Sequence, residues 1–144
     1  MSVEQNKRVE ERYKEAVWDK HDQSAIDEFV DPEFVHHNPA LGQNAGREGL
    51  RQTLAALFSA FPDVNLTHEH LIAEGDMVVE HWTARGTHRG PLMGIAPTNR
   101  AVTIAGVDIY RYKGGKRVEA WTYWDVQSFM NQLGVASSGR PGVR

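Results

Sequence analysis

A chain of 144 residues is long enough for one domain with a core and a pocket, and too short for two independent cores. A formal net charge of −3 argues against a surface built to neutralise phosphates or anionic lipid, so neither nucleic acid nor a membrane is expected as a partner. Without cysteine there can be no disulfide, thiolate zinc site or cysteine nucleophile, in keeping with a reducing compartment. The charged start MSVEQNKRVEERYKEAV lacks an apolar h-region and no apolar run approaches the ~18 residues of a membrane span, so the protein is expected in the cytoplasm.

Val9, Tyr13, Ala16 and Val17 recur at helical spacing and predict an amphipathic helix over about 4 to 19, with Glu10, Glu11 and Lys14 on its wet side. Ser24 reads as the cap of a short second helix that buries Ile26, Phe29 and Val30 and is closed by Pro32. FVHHNP reads as a brief extended segment. A third helix follows over about 46 to 60, with Leu50, Leu54, Leu57, Phe58 and Phe61 on one face and Pro62 as its stop. From residue 64 the pattern turns to strands, about 65 to 73, 77 to 89, 100 to 112 and 116 to 124, with turn signals at Gly75-Asp76, Pro97-Thr98-Asn99 and Gly114-Gly115. A last helix after Asp125 carries Val126, Phe129, Met130 and Leu133 on one face, with Gly134 as its C′ residue. Residues 1–134 thus read as a single domain and 135–144 as a flexible tail. Three helices set before a curling antiparallel sheet predict an α+β cone in which the helices cover the concave face and leave a pocket at the open end.

The stretches FVHHNP, GREG, AFPDV, IAEGDMVVEHWTARGTHRGPLMGIAPTNR, VDIYRYKGGK, EAWTYWD and QLG stand in this order between about residues 20 and 134. Together they resemble the SnoaL-like polyketide cyclases or ester cyclases, small members of the nuclear transport factor 2-like superfamily. The resemblance implies that superfamily's fold and a homodimer through the outer face of the sheet. It constrains function less, because cyclases, isomerases, epoxide hydrolases, hydroxylation-related proteins and non-catalytic binders share the scaffold. In cyclases of this kind that close a ring by intramolecular aldol condensation, an aspartate on the last strand is the general acid and base. Aligning through QLG puts that position at Thr122, which carries no carboxylate. A family histidine on the preceding strand falls at Asp108, so the acid is expected to have moved across the hairpin.

Whether Asp108 and Thr122 share a face depends on the turn in Tyr112-Lys113-Gly114-Gly115-Lys116. A three-residue loop, Lys113 to Gly115, puts Asp108 opposite Ala120 and on the Thr122 face; a two-residue Gly114-Gly115 loop puts it opposite Trp121. The three-residue loop agrees with the resemblance and is the expectation, with Gly106, Asp108 and Tyr110 lining the pocket. Asp108 is then the candidate catalytic acid/base, its pKa raised by loss of hydration among aromatic and aliphatic side chains. The alternative is an exposed strand aspartate, or one paired with Arg111 or Arg117. Asp125 is assigned to the following helix, as a cap accepting from the N–H of Gln127 or Ser128. Trp124 shares the Thr122 face and is placed to stack on a flat ligand, and Trp18 joins it as a substrate-binding candidate. Trp82 and Trp121 are assigned to the outer sheet face, where a dimer would cover them.

In an extended segment His36 and His37 point to opposite sides, and the resemblance selects His37 for the pocket, either to orient a carbonyl or shuttle a proton or, equally, to make a structural hydrogen bond. His81 and His88 fall on opposite faces unless a bulge at Gly86 intervenes, and the family-like GTH favours His88 as a binding residue. The alternate histidines of His68-Glu69-His70 share a face but lack a third ligand, so no metal and no cofactor are expected. These residues leave open a cofactor-independent cyclase or isomerase acting on a hydrophobic polyketide-like molecule, and a non-catalytic small-molecule-binding protein. An epoxide hydrolase ranks lower, since it needs an acid, a base and a positioned water and one carboxylate alone is placed.

Overall fold

In the computed structural model, which describes residues 2–37 and 45–135, a single curved sheet carries the chain. Its strands are β1 (Val30–His37), β2 (Asn65–Glu74), β3 (Met77–Thr87), β4 (Ala101–Lys113) and β5 (Lys116–Trp124), in the order β1-β5-β4-β3-β2. The fold is the α+β arrangement expected, with one correction. FVHH belongs to a strand of eight residues that pairs parallel with β5, so the sheet is mixed and the antiparallel meander comprises its other four strands. The tail after Val135 lies outside the described residues. No described helix is long and apolar enough to cross a membrane.

The helices follow their local signals with two adjustments. Helix α1 (Val3–Tyr13) opens on a capping box, in which the Gln5 N–H donates to Ser2 Oγ and the Ser2 N–H donates to Gln5 Oε1. It then widens into a π-helical segment, Lys14–Asp19, rather than staying α-helical to residue 19. The second helix is a 3-10 turn, Gln23–Ala25, followed by the single turn α2 (Ile26–Phe29); its cap is Asp22, which accepts from the Ser24 N–H, and not Ser24. Val30 already lies in β1. Helix α3 (Gly46–Ala60) buries Leu50, Leu54 and Phe58, and α4 (Val126–Leu133) buries Phe129 and Leu133. Asp125 caps α4, accepting from the Ser128 N–H at 2.9 Å, and Gly134 closes it at φ 78°, a left-handed conformation that a residue without Cβ adopts freely.

Glu10, expected on the wet side of α1, is 1% exposed. Its position explains this. Asn6, Val9, Glu10, Tyr13 and Val17 form one continuous helical stripe, and the whole stripe packs inward. The charge is met by Arg117 of β5, 3% exposed, whose Nη2 donates to Glu10 Oε1 at 2.5 Å. The guanidinium lies 4.1 Å from the centre of the Tyr13 ring and 3.6 Å from that of Tyr110, so aromatic faces surround the ion pair.

Arg117 reaches the inner face because the β4–β5 hairpin is irregular. Lys113 pairs with Lys116 across a two-residue Gly114-Gly115 turn whose φ angles are 59° and 81°, the left-handed pair that a type I′ turn demands. The expected three-residue loop does not form. Val118 is instead an extra residue in β5, since Tyr112 pairs with Arg117 and Arg111 with Glu119. Beyond that bulge Asp108 stands directly opposite Thr122, and the two share the inner face.

Truncating Arg117 to Met would leave the Glu10 charge buried without its counter-charge, so a loss of about 3–5 kcal/mol is expected in urea denaturation. Asp125→Ala removes one helix cap and is expected to cost about 1 kcal/mol in the same assay.

Candidate active site

A cavity of about 150 Å³ lies between the helices and the concave face of the sheet. Leu50, Leu54 and Leu57 of α3 form one wall and Phe129 of α4 another, while the sheet contributes Trp82 and Ala84 from β3, Val102 and Ile104 from β4, and Trp124 from β5. Trp18 enters from the π-helical segment, held edge-on against Phe58 at 5.3 Å between ring centres. A widened turn of this kind rotates the side chains that follow it, which brings Trp18 onto the cavity at the end of α1. The lining is chiefly apolar; Thr53 and Arg85 also lie on it, and one set of polar groups, Asp108, Tyr110, Arg117, Thr122 and His36, gathers on the strands.

Those polar groups form one connected array. The Tyr110 hydroxyl is 2.6 Å from Asp108 Oδ2 and 2.9 Å from Glu80 Oε1. Glu80 Oε2 meets His68 Nε2, whose ring lies 4.0 Å from Glu10 Oε2. Across the hairpin, His36 Nε2 is 2.5 Å from Thr122 Oγ1. Thr122 also approaches the Asp108 carboxyl, without a well-directed hydrogen bond to Oδ1, which is buried and has no hydrogen-bond partner among the described residues. Burial raises the pKa of Asp108 above the usual carboxylate range, although the Tyr110 hydroxyl and the Arg117 charge pull it back. Burial, reinforced by the neighbouring Glu10 charge, pushes Glu80 up to about 7.

Of the residues singled out from sequence, Asp108, Trp18, Tyr110, Thr122 and Trp124 all face this cavity. His37 does not. It sits on the outer side of β1, stacked 4.9 Å from Trp121 and paired with Glu119 at 2.7 Å, and the pocket histidine is its neighbour His36. The parallel register with β5, His36 to Ala120 and His37 to Trp121, decides the matter, since Ala120 lies on the Thr122 side. His88 is fully buried but off the cavity, with Nδ1 on Thr98 and its ring stacked on Phe61; β3 ends at Thr87, so strand parity no longer aims it.

Trp82 is a further correction, because it lines the cavity rather than the outer face. It pairs with Gly106, whose missing Cβ leaves room for the indole to lie across β4. His68 and His70 do not share a face either. A bulge at Glu69 sends His68 inward and His70 outward against His81. Glu10, His68 and Glu80 bring ligand-type atoms within 4.8 Å of one another, yet Arg117, Tyr112 and Tyr110 already engage the two carboxylates, so the group is a hydrogen-bond network as it stands.

Glu80, Glu10, Arg117 and Trp82 were missed or misplaced from sequence. For Glu80 the signal was there: Val78, Glu80 and Trp82 alternate on one face, which puts a carboxylate among core residues.

Residues 7–133 match the sequence model of the SnoaL-like polyketide cyclase family. A curated relative, the nogalonic acid methyl ester cyclase of Streptomyces nogalater, is 28% identical over 113 residues, spanning 76% of this chain and 83% of that one. Among solved structures, TsrD from Streptomyces laurentii superposes with a TM-score of 0.84 at 28% identity, over 93% of this chain and 98% of its own. IdmH from Streptomyces antibioticus, described as a candidate polyketide cyclase, gives 0.78 at 29% identity, over 90% and 99%. AclR from Streptomyces galilaeus, described as a candidate hydroxylase, gives 0.79 at 28%, over 92% and 98%.

A methyl group at position 106 would overlap the Trp82 ring, so Gly106→Ala is expected to displace the indole, change tryptophan fluorescence and cost about 1–3 kcal/mol. The pH dependence of stability is also fixed in sign. Glu80 rises from 4.5 to about 7 on folding, so its contribution is full below pH 4.5 and is lost as pH climbs through about 7. Melting temperatures are expected to fall across that interval, and Glu80→Gln to flatten the decline.

Proposed function

This chain belongs to the SnoaL-like polyketide cyclase family, and from that premise we propose that it closes a ring in a hydrophobic polyketide-like substrate by cofactor-independent acid/base catalysis at Asp108. One observation carries the reading. Asp108 is buried on the cavity wall, directly opposite the Thr122 position where related cyclases place their acid, and its Oδ1 has no hydrogen-bond partner among the described residues. A carboxyl held in this way is a base of raised pKa with one oxygen engaged in no well-directed hydrogen bond, which suits it to accept a proton from a bound substrate.

The chemistry balances without an added reactant. Ionised Asp108 removes a proton from a carbon next to a carbonyl, and the resulting enolate attacks a second carbonyl of the same molecule. A carbon–carbon bond forms, and the alkoxide takes back the proton from Asp108. With its proton on Nε2, His36 donates to Thr122 Oγ1, which leaves the Thr122 hydroxyl proton available to the developing oxyanion. Trp18, Trp82 and Trp124 supply flat apolar surface that folds the chain so that its reacting carbons meet. The methyl ester of a polyketide acid, the substrate class named for the Streptomyces nogalater relative, is the first compound to test.

Asp108→Asn keeps the size of the side chain and is expected to preserve binding of nogalonic acid methyl ester while lowering its turnover by about 10² to 10⁴. Full turnover in that variant would remove Asp108 from the mechanism. Tight binding by the wild type with no conversion would favour a binding protein instead.

A further inference from the structure

Glu80 is the buried acid that this chemistry leaves unused. It stands on the inner face of β3, 2% exposed, behind the cavity wall rather than on it. Both of its oxygens are engaged, Oε1 with the Tyr110 hydroxyl at 2.9 Å and Oε2 with His68 Nε2. The same hydroxyl lies 2.6 Å from Asp108 Oδ2. A phenol carries one proton and can donate it to only one of two carboxyls. Its contact with the other is attractive only when that carboxyl is protonated and donates to the phenol oxygen. If both were ionised, two like charges would share one donor in a dry site. Proton counting therefore requires one extra proton across Asp108–Tyr110–Glu80.

We propose that Glu80 is the proton store of Asp108 and that Tyr110 is the bridge between them, so that Asp108 is the free base when Glu80 holds the proton. The exchange is balanced: Glu80 Oε1–H passes its proton to the Tyr110 oxygen as the Tyr110 hydroxyl proton passes to Asp108 Oδ2, and the reverse shift restores the base. Which carboxyl holds the proton is set by the groups around Glu80. Glu10 of α1 adds negative charge at Glu80, Arg117 of β5 favours ionised Asp108, Tyr112 donates its hydroxyl to Glu10, Tyr13 stacks on the Arg117 guanidinium, and Lys14 faces His68. His68 of β2 is the gate: charged, it favours ionised Glu80 and drives the proton to Asp108; neutral, it lets Glu80 keep it. The raised pKa values of Glu80 and Asp108 agree in direction with one shared proton. Glu80 acts through Asp108 and is a positioning residue, so the inference rests on the acid/base reading of Asp108.

The test combines carboxyl-carbon NMR titration of the ligand-free protein with the pH profile of kcat on nogalonic acid methyl ester. In the wild type the carboxyls of Asp108 and Glu80 are expected to titrate as a coupled pair, one of them still protonated at neutral pH, and Tyr110→Phe is expected to uncouple them. Glu80→Gln removes the like charge, so the acid limb of the kcat profile is expected to move to lower pH with KM unchanged. Glu80→Asp is expected to restore the limb toward its original position. A purely structural Glu80 would change the folded fraction and leave the limb where it was. Two carboxylates fully ionised at neutral pH, or a titration indifferent to Tyr110→Phe, would overturn the proposal. The titration needs no substrate, so coupled carboxyls in a protein that turns nothing over would count against the cyclase reading and not against the shared proton.

Discussion

The ion pair between Glu10 and Arg117 organises the inside of this protein. It joins the first helix to the last strand, elements separated by more than a hundred positions, and it does so in the driest part of the fold. Burying two charges has a large desolvation penalty, offset here by a short hydrogen bond, a second contact from the Tyr112 hydroxyl to Glu10, and tyrosine rings on the guanidinium. Because α1 is fastened at this point, Tyr13 and Trp18 can form part of the cavity wall.

The same pair sets the electrostatics of the site. Glu10, Glu80 and Asp108 gather on one inner face with Arg117 as the strong cation among them, so the face carries more acid than base. Such an excess favours holding protons, and the pKa values of both Glu80 and Asp108 are raised. The cavity therefore joins two environments. Its walls are chiefly apolar, and its polar edge carries a buried carboxyl whose pKa burial raises above the usual carboxylate range.

Asp108 and Thr122 face each other across the β4–β5 hairpin, on the inner side of the sheet. Residues directly opposite on antiparallel strands have Cβ atoms about 5 Å apart, so a polar group on either strand of this hairpin reaches nearly the same point of the cavity wall. The Thr122 hydroxyl is tied to His36 from the parallel edge strand. Asp108, Thr122 and His36 therefore present their polar groups to one side of the cavity.

Elements and caps were legible in the sequence because their causes are local. Helical spacing announced α1, α3 and α4, alternation announced the long strands, and Asp125 and Gly134 marked both ends of the last helix. The placement of Asp108 on the Thr122 face was also reached, although through a different turn from the one that forms. What the tertiary structure alone decided was which way several side chains point. A bulge at Val118 turns Arg117 inward, a bulge at Glu69 separates His68 from His70, and parallel pairing of β1 with β5 chooses His36 over His37. Each reversal has one physical origin: strand side chains alternate with a period of two, so a single inserted residue or a single pairing choice exchanges inside for outside. Whether Glu10 is wet or buried depended likewise on a partner far along the chain, because a charge enters a core only when another part of the fold brings its counter-charge to meet it.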